Sequence, residues 1–377
     1  MKVRNVKAIA RKEFYHLLRD FRSLYLAFAI PLVLILLFGY ALSLDVDNIE
    51  TIVVDYDRSD LSRDFVRKVD ASSYFKVLGN LASMDEVTDY LDNGKTRMAI
   101  VIPPDWSRQL RSERKAPLQI LFDGSDPNYA SLSVGYMTRF IETYNQTLLA
   151  DFLNRRGIER IKPPVEGRVR IWFNEDLESR NFIVPGIIAI IIMIVGAMLT
   201  SLVIAREYEN GTMETLKALP LTAGEFLLGK AIPYFFIGLA DVLMAVLMGQ
   251  VLFGVIVKGS FWLLIFASSI YLSVALCLGL LISVGTKSQL VANQMAVLIT
   301  YLPSLLLSDF VFPVANMPKA LQTATYIVPA KYFIDILNGL FLRGIGLSLL
   351  WPSFLVLAIM SSVLAAITYI AMRKDGL

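Results

Sequence analysis

Two residue types that most often carry chemistry are almost missing from this chain. One cysteine and one histidine occur in 377 residues. A single cysteine, Cys277, excludes disulfides and cysteine-based metal sites within the chain. Charge is scarce too: Asp, Glu, Lys and Arg make up 18%, against about 25% in soluble proteins. The net charge of +3 gives little support to a nucleic-acid partner. What fills the chain instead is apolar, at 55%.

The apolar residues come in runs. Leu24–Leu44, Phe182–Ala205, Gly259–Thr286, Ser288–Ser308 and Ile345–Met372 contain no charge, and Ala231–Val257 contains only Asp241. About twenty helical residues cross a hydrocarbon core, so these runs predict an α-helical membrane protein with six transmembrane helices. The first run is too long for the core of a cleaved signal peptide and reads as a retained signal-anchor helix.

Charge placement orients the spans. Residues 1–22 hold Lys2, Arg4, Lys7, Arg11, Lys12, Arg19 and Arg22 against Glu13 and Asp20. The positive-inside rule then predicts cytoplasmic N- and C-termini, although Lys287 inside and Lys258 outside cancel. Within residues 1–22, Val3, Val6, Ala10, Phe14, Leu17 and Phe21 form one apolar helical stripe with bases opposite. This amphipathic helix lies at the cytoplasmic lipid surface, either as a plain anchor or as an elbow that also receives a cytoplasmic partner.

Span 1 covers 23–44, and the polar insert 45–181 is expected outside the cytoplasm as a domain with its own core. Its pattern alternates: strands at Thr51–Tyr56, Tyr74–Leu78, Met98–Ile102 and Leu118–Phe122, with helices at Leu61–Val69, Asp85–Asp92 and Asp105–Lys115. A turn at 123–127, a long helix at Asn128–Arg156 and a returning strand at Arg168–Phe173 complete an α/β domain between helices 1 and 2. The insert has neither histidine nor cysteine, so Ser–His and Cys–His mechanisms are excluded there. Asp123 and Asp126 lack EF-hand spacing and read as a turn. No catalytic residue and no metal ligand is expected.

Residues 224–231, GEFLLGKA, match the first seven places of G-x-x-x-x-G-K-[ST] through Gly224, Gly229 and Lys230. The Mg²⁺-holding Ser/Thr is replaced by Ala231, no strand precedes the stretch, and a membrane span follows it. It is not a P-loop. The whole link 206–230 reads better as a short polar helix stopped by Pro220, with Thr222 capping the next helix and Lys230 snorkelling at the membrane boundary. An ordinary connecting loop is the alternative.

Arg206–Leu216 (REYENGTMETL), Pro220 and Gly229–Tyr234 (GKAIPY) resemble the signature of ABC-2 type transporter permeases. A second signature follows span five: Phe312-Pro313, Met317-Pro318, Tyr326–Phe333 (YIVPAKYF) and Leu340–Gly344 (LFLRG). The DGS-plus-Pro stretch at 123–127 is similar to that of the drug-efflux branch. Asp309 departs from the family, which commonly has a small residue there.

The resemblance implies the membrane subunit of an ABC exporter in the bacterial inner membrane. It carries no nucleotide or other cofactor of its own. ATP and Mg would sit in a partner ATPase, and a second permease copy or a paralogue would complete the path. A periplasmic adaptor and the lipid bilayer are further partners; nucleic acid is not. Coupling to the ATPase would fall on Glu207, Glu209, Gly211, Thr212, Glu214 and Leu216.

Residues 182–377 would hold helices 2–6, with an external re-entrant segment at 312–344 broken by Pro313, Pro318 and Pro329 near the exit gate. A loop packed under the external domain is the alternative for that segment. Substrates would be small hydrophobic or amphipathic compounds, drugs among them. Tyr40, Asp241, Gln250, Asn293, Gln294 and Tyr301 are candidates to line the path. Asp241 stands out, because an acid at a helix centre costs about 2.5–3.5 kcal/mol; helix packing is its other reading. Two rival functions stand beside the exporter: an ion-coupled secondary transporter built on Asp241, and a receptor or scaffold with an external sensing domain.

Overall fold

A computed structural model describes residues 2–41, 48–112, 116–125, 127–155, 173 and 179–376. The chain divides into two compact units, one formed by Met1–Ser43 with Ile171–Leu377 and the other by Leu44–Arg170. The first unit opens with α1 (Val3–Arg19) and α2 (Phe21–Ala41).

The second unit is a mixed α/β sandwich. Its elements are β1 (Ile49–Asp55), α3 (Asp60–Asp70), β2 (Phe75–Leu81), α4 (Met84–Asp92), β3 (Met98–Ile102), α5 (Trp106–Arg111), β4 (Gln119–Phe122) and α6 (Pro127–Arg155). The strand order is β2-β1-β3-β4, parallel except for the antiparallel β3/β4 pair. All five residues of the central strand β3 are buried, as its unbroken apolar run requires.

One face packs Val53, Phe65, Ile100, Trp106 and Tyr144 together, whereas the other packs Ile52, Val54, Ala99 and Val101 on Val87 of α4. Ser59 and Ser83 cap α3 and α4 by accepting the Ser62 and Glu86 amides. The expected elements lie within one or two residues of the observed ones at most ends, as is usual for frayed termini. The expected helix to Lys115 ends at Arg111, with 113–115 outside the described residues. Asp126 and all of the expected strand Arg168–Phe173 except Phe173 also fall outside them.

The first unit continues with α7 (Arg180–Glu209), α8 (Thr212–Ala218), α9 (Ala223–Phe253), α10 (Phe261–Thr286), α11 (Gln289–Leu306), α12 (Lys319–Thr325), α13 (Pro329–Asn338) and α14 (Leu347–Lys374). Among the described residues α7, α9, α10, α11 and α14 are long and apolar enough to cross a membrane; within α2 the apolar stretch is Ala27–Tyr40. Helix α7 is apolar on all sides and is buried on all sides, so it forms the axis of the bundle. Glycine permits the closest approaches: a Cβ on Gly279 of α10 would fall 2.4 Å from the Ala197 carbonyl of α7.

Each proline of the segment after α11 begins a helical piece. Pro313 precedes a 3₁₀ turn (Val314–Asn316), Pro318 precedes α12, and Pro329 occupies the first turn of α13. Helix α13 is sunk into the bundle, with Phe333, Ile336 and Leu337 buried and Phe333 stacked 4.1 Å from Tyr271 of α10. The segment 312–344 thus contains the two helices α12 and α13, with a break before Pro329. Asp309 is exposed in a left-handed conformation (φ 68°), and its carboxylate accepts the Val314 amide at 2.7 Å.

Candidate functional site

A network of charged side chains gathers at one end of the bundle. Helix α1 lies against the start of α9, and Gly229 makes that contact possible: a Cβ there would stand 2.7 Å from the Ile9 Cβ. Thr222 caps α9 as the sequence suggests, and Glu225 completes a capping box. The Glu225 carboxylate also accepts the Lys2 amide at 2.5 Å and the Asn5 side chain at 2.9 Å, which ties down the first turn of α1.

One turn further, Lys230 is only 2% exposed. Its ammonium sits 2.5 Å from both Glu13 of α1 and Glu207 of α7, themselves 4% and 6% exposed. The expectation that Lys230 snorkels to the membrane boundary is thus overturned. Two buried carboxylates hold it inside the bundle, and a lone ammonium could not otherwise stay there.

Glu207 has two further donors, Lys12 at 3.1 Å and the Thr212 hydroxyl. Lys12 brings the cluster to two ammonium groups and two carboxylates. Thr212 is the first residue of α8, and Gly211 before it takes the left-handed conformation (φ 69°) that turns the chain. Glu207 and Glu209 therefore belong to the end of α7 rather than to the short helix, and the six expected coupling residues divide. Glu207 faces inward and Gly211 makes the turn. Thr212 joins α8 to the cluster, Glu214 is exposed, and Leu216 is half-buried against the core.

Glu209 instead binds Gln289 at the start of α11, accepting its amide at 2.8 Å and its side chain at 2.5 Å. Arg206 reaches Asp20 at 3.2 Å and His16 Nδ1 at 3.2 Å. Lys217 of α8 and Lys287 after α10 both pair with Asp375, at 3.3 and 2.6 Å. Both chain ends, the link 206–230 and the α10–α11 turn thus meet at the same end of the bundle.

The stripe expected on α1 is kept in part: Leu17 is buried and Val6 and Ala10 are half-buried, but Val3 and Phe14 are exposed and Glu13 is buried; the side chain of Phe21 is outside the described residues. Apolar periodicity missed Glu13, an acid on the inward face of α1 that Lys230 neutralises.

The six candidate path residues do not line one cavity. Tyr40, Gln250 and Gln294 are exposed. Asn293 borders a void of about 10 Å³ with Ile30 and Val195, too small for more than one water. Tyr301 borders a separate apolar cavity of about 40 Å³ with Leu34, Phe38 and Ile187. Asp241 is 4% exposed, and neither carboxylate oxygen has a hydrogen-bond partner. Pro313 and Pro318 help line an open apolar hollow of about 620 Å³ with Leu302, Leu306, Phe312 and Met317. No group of three or more His, Cys, Asp or Glu able to hold a metal occurs among the described residues.

The sequence profile of the ABC-2 family transporter proteins matches residues 21–370. The chain belongs to that family. Similar proteins in Escherichia coli strain K12 include the probable multidrug ABC transporter permease YbhS, 37% identical over 342 residues, covering 90% of this chain and 89% of the relative. YbhR, also named a probable multidrug ABC transporter permease, is 30% identical over 366 residues, 97% of each chain. The inner membrane transport permease YhhJ is 28% identical over 336 residues, covering 85% and 84%. In this ABC-2 family protein three residues of the stretch 224–231 have structural roles. Its glutamate caps a helix, its second glycine admits α1, and its lysine neutralises buried acids, all in helical backbone with no phosphate-binding loop.

Proposed function

We propose that this chain is the permease subunit of an ABC exporter, driven by separate ATPase subunits that hold the ATP and Mg. It moves small hydrophobic or amphipathic compounds outward across the bacterial cytoplasmic membrane. In this reading α2 supplies the first of six spans, the polar end of the bundle is cytoplasmic, and Leu44–Arg170 is extracytoplasmic. A second permease copy or a paralogue completes the path.

One observation carries the coupling role. The first residue of α8 is pinned through Glu207 to Lys230 of α9 and thence to Glu13 of α1. A push on α8 is therefore delivered to α9 and α1 instead of being absorbed at the Gly211 turn. Glu214 and Thr215, exposed on α8, form the surface that meets the ATPase.

The test uses the full chain reconstituted with the ATPase encoded beside it. Glu214→Ala/Thr215→Ala leaves the internal cluster intact and is expected to weaken ATPase association and lower permease-dependent hydrolysis. Unchanged association and hydrolysis would remove α8 from the coupling surface. The buried, unpartnered carboxyl of Asp241 favours one second reading, ion-coupled transport. That reading requires transport without ATP, lost in Asp241→Asn.

A further inference from the structure

Helix α8 is seven residues long and buries only Met213. A helix that short does not persist by itself in water, so its position depends on what ties its ends. Thr212 secures the first end to Glu207. The other end is held by a separate cluster that plays no part in the coupling argument above. Lys217 donates to Asp375 Oδ2 at 3.3 Å, and Lys287 donates to Oδ1 at 2.6 Å. Both ammonium groups also stand near the Tyr208 ring of α7, 5.5 and 4.8 Å from its centroid. Lys287 caps the end of α10 and Asp375 the end of α14. One carboxylate therefore joins α8 to the ends of two spans.

The backbone at Lys287 supports a use for its side chain. Lys287 ends α10 in the left-handed conformation (φ 55°). Glycine adopts that conformation without steric cost and is the usual residue there; Gly254 closes α9 in this way at φ 67°. A lysine is strained in that position and persists where its surroundings hold it. Asp375 and Tyr208 supply contacts that a glycine could not make. An isolated exposed ion pair contributes little, but a half-buried carboxylate shared by two ammonium groups beside one ring is a network. Among the described residues neither lysine pairs with another carboxylate, so loss of Asp375 releases both.

We propose that Asp375 is a positioning residue for α8. Through Lys217 and Lys287 it fixes the second end of α8 to the ends of α10 and α14, so that a push on α8 reaches those spans as well as α9 and α1. The proposal rests on the coupling reading above and adds a second route to it.

The first measurement is hydrogen exchange of the full chain in detergent, without the ATPase. Asp375→Asn should speed exchange in residues 212–218 by about 3- to 10-fold, leave α13 unchanged, and be reversed by Asp375→Glu. Lys287→Gly separates the tie from a plain cap: it relieves the backbone strain at the end of α10, yet it should still speed exchange in α8. The second measurement adds the ATPase encoded beside the chain. Asp375→Asn should lower permease-dependent ATP hydrolysis by at least 3-fold with ATPase association unchanged, and Asp375→Glu should restore it. Unchanged exchange in α8 in either Asp375→Asn or Lys287→Gly would overturn the tie. Faster exchange with unchanged hydrolysis would overturn the positioning role. If Glu214→Ala/Thr215→Ala also leaves hydrolysis unchanged, the failure lies in the coupling reading, and the exchange result alone then decides whether Asp375 holds α8.

Discussion

Removing the ammonium of Lys230 tests the buried charge cluster directly. Lys230→Met keeps the length and packing of the side chain but leaves Glu13 and Glu207 facing each other where no water reaches. Breaking a buried pair by deleting one partner costs about 3–5 kcal/mol, because the remaining charge loses its compensation. Here two carboxylates lose it, although Lys12 and Thr212 still serve Glu207. A loss at the upper part of that range is expected, read as a fall of about 10 °C in the melting temperature of the detergent-solubilised chain. The variant Glu13→Met/Glu207→Met/Lys230→Met removes both signs of charge together. Apolar replacement of a whole buried cluster is often neutral or stabilising, so its melting temperature should return close to that of the unaltered chain. If Lys230→Met melts within about 0.5 kcal/mol of the unaltered chain, as a neutral surface change would, the cluster is not a sealed ion pair and the reasoning fails.

Other sites allow equally direct checks. Gly229→Val inserts a side chain where even a Cβ meets Ile9, so it should cost about 1–3 kcal/mol and loosen α1, seen as faster hydrogen exchange in residues 3–19 with α13 unaffected. Asp241→Leu removes two unpartnered carboxylate oxygens and should leave thermal stability unchanged or raised; a marked loss would reveal a partner for that carboxyl. In the α/β unit, burial pushes the Asp57 carboxyl up, but hydrogen bonds from Ser59 and Ser107 outweigh it and hold the group below its usual range. Its contribution to stability is therefore complete above the unfolded value near pH 4 and is lost as pH falls through the lower folded value. Ser107→Ala should move the Asp57 titration upward by NMR, and an unmoved midpoint would remove Ser107 as the cause.

The lengths of most elements were legible because apolar runs and strand alternation are local properties. The five charge-free or nearly charge-free stretches that became α7, α9, α10, α11 and α14 needed no tertiary information, and neither did the cap at Thr222. The partnership of Glu13, Glu207 and Lys230 was not legible, since its members lie 217 and 23 residues apart and each looks like an ordinary boundary charge by itself. The same limit explains why the inward position of Glu13, beside the expected Leu17 on α1, was not legible. Helix α13 was missed as a helix of the core because its prolines read as breakers, whereas Pro329 starts the helix.

The central claim is that α8, α1 and the start of α9 move as one body. Spin labels at Arg11 on α1 and Ala218 on α8, in the complete complex reconstituted with its ATPase, measure this directly by pulsed dipolar spectroscopy. The distance between them should be the same without nucleotide and in the ATP-trapped state, and should change on trapping once Glu13, Glu207 and Lys230 are all replaced by Met. A distance that changes on trapping in the unaltered cluster would mean that α8 moves independently, and the coupling account would be wrong.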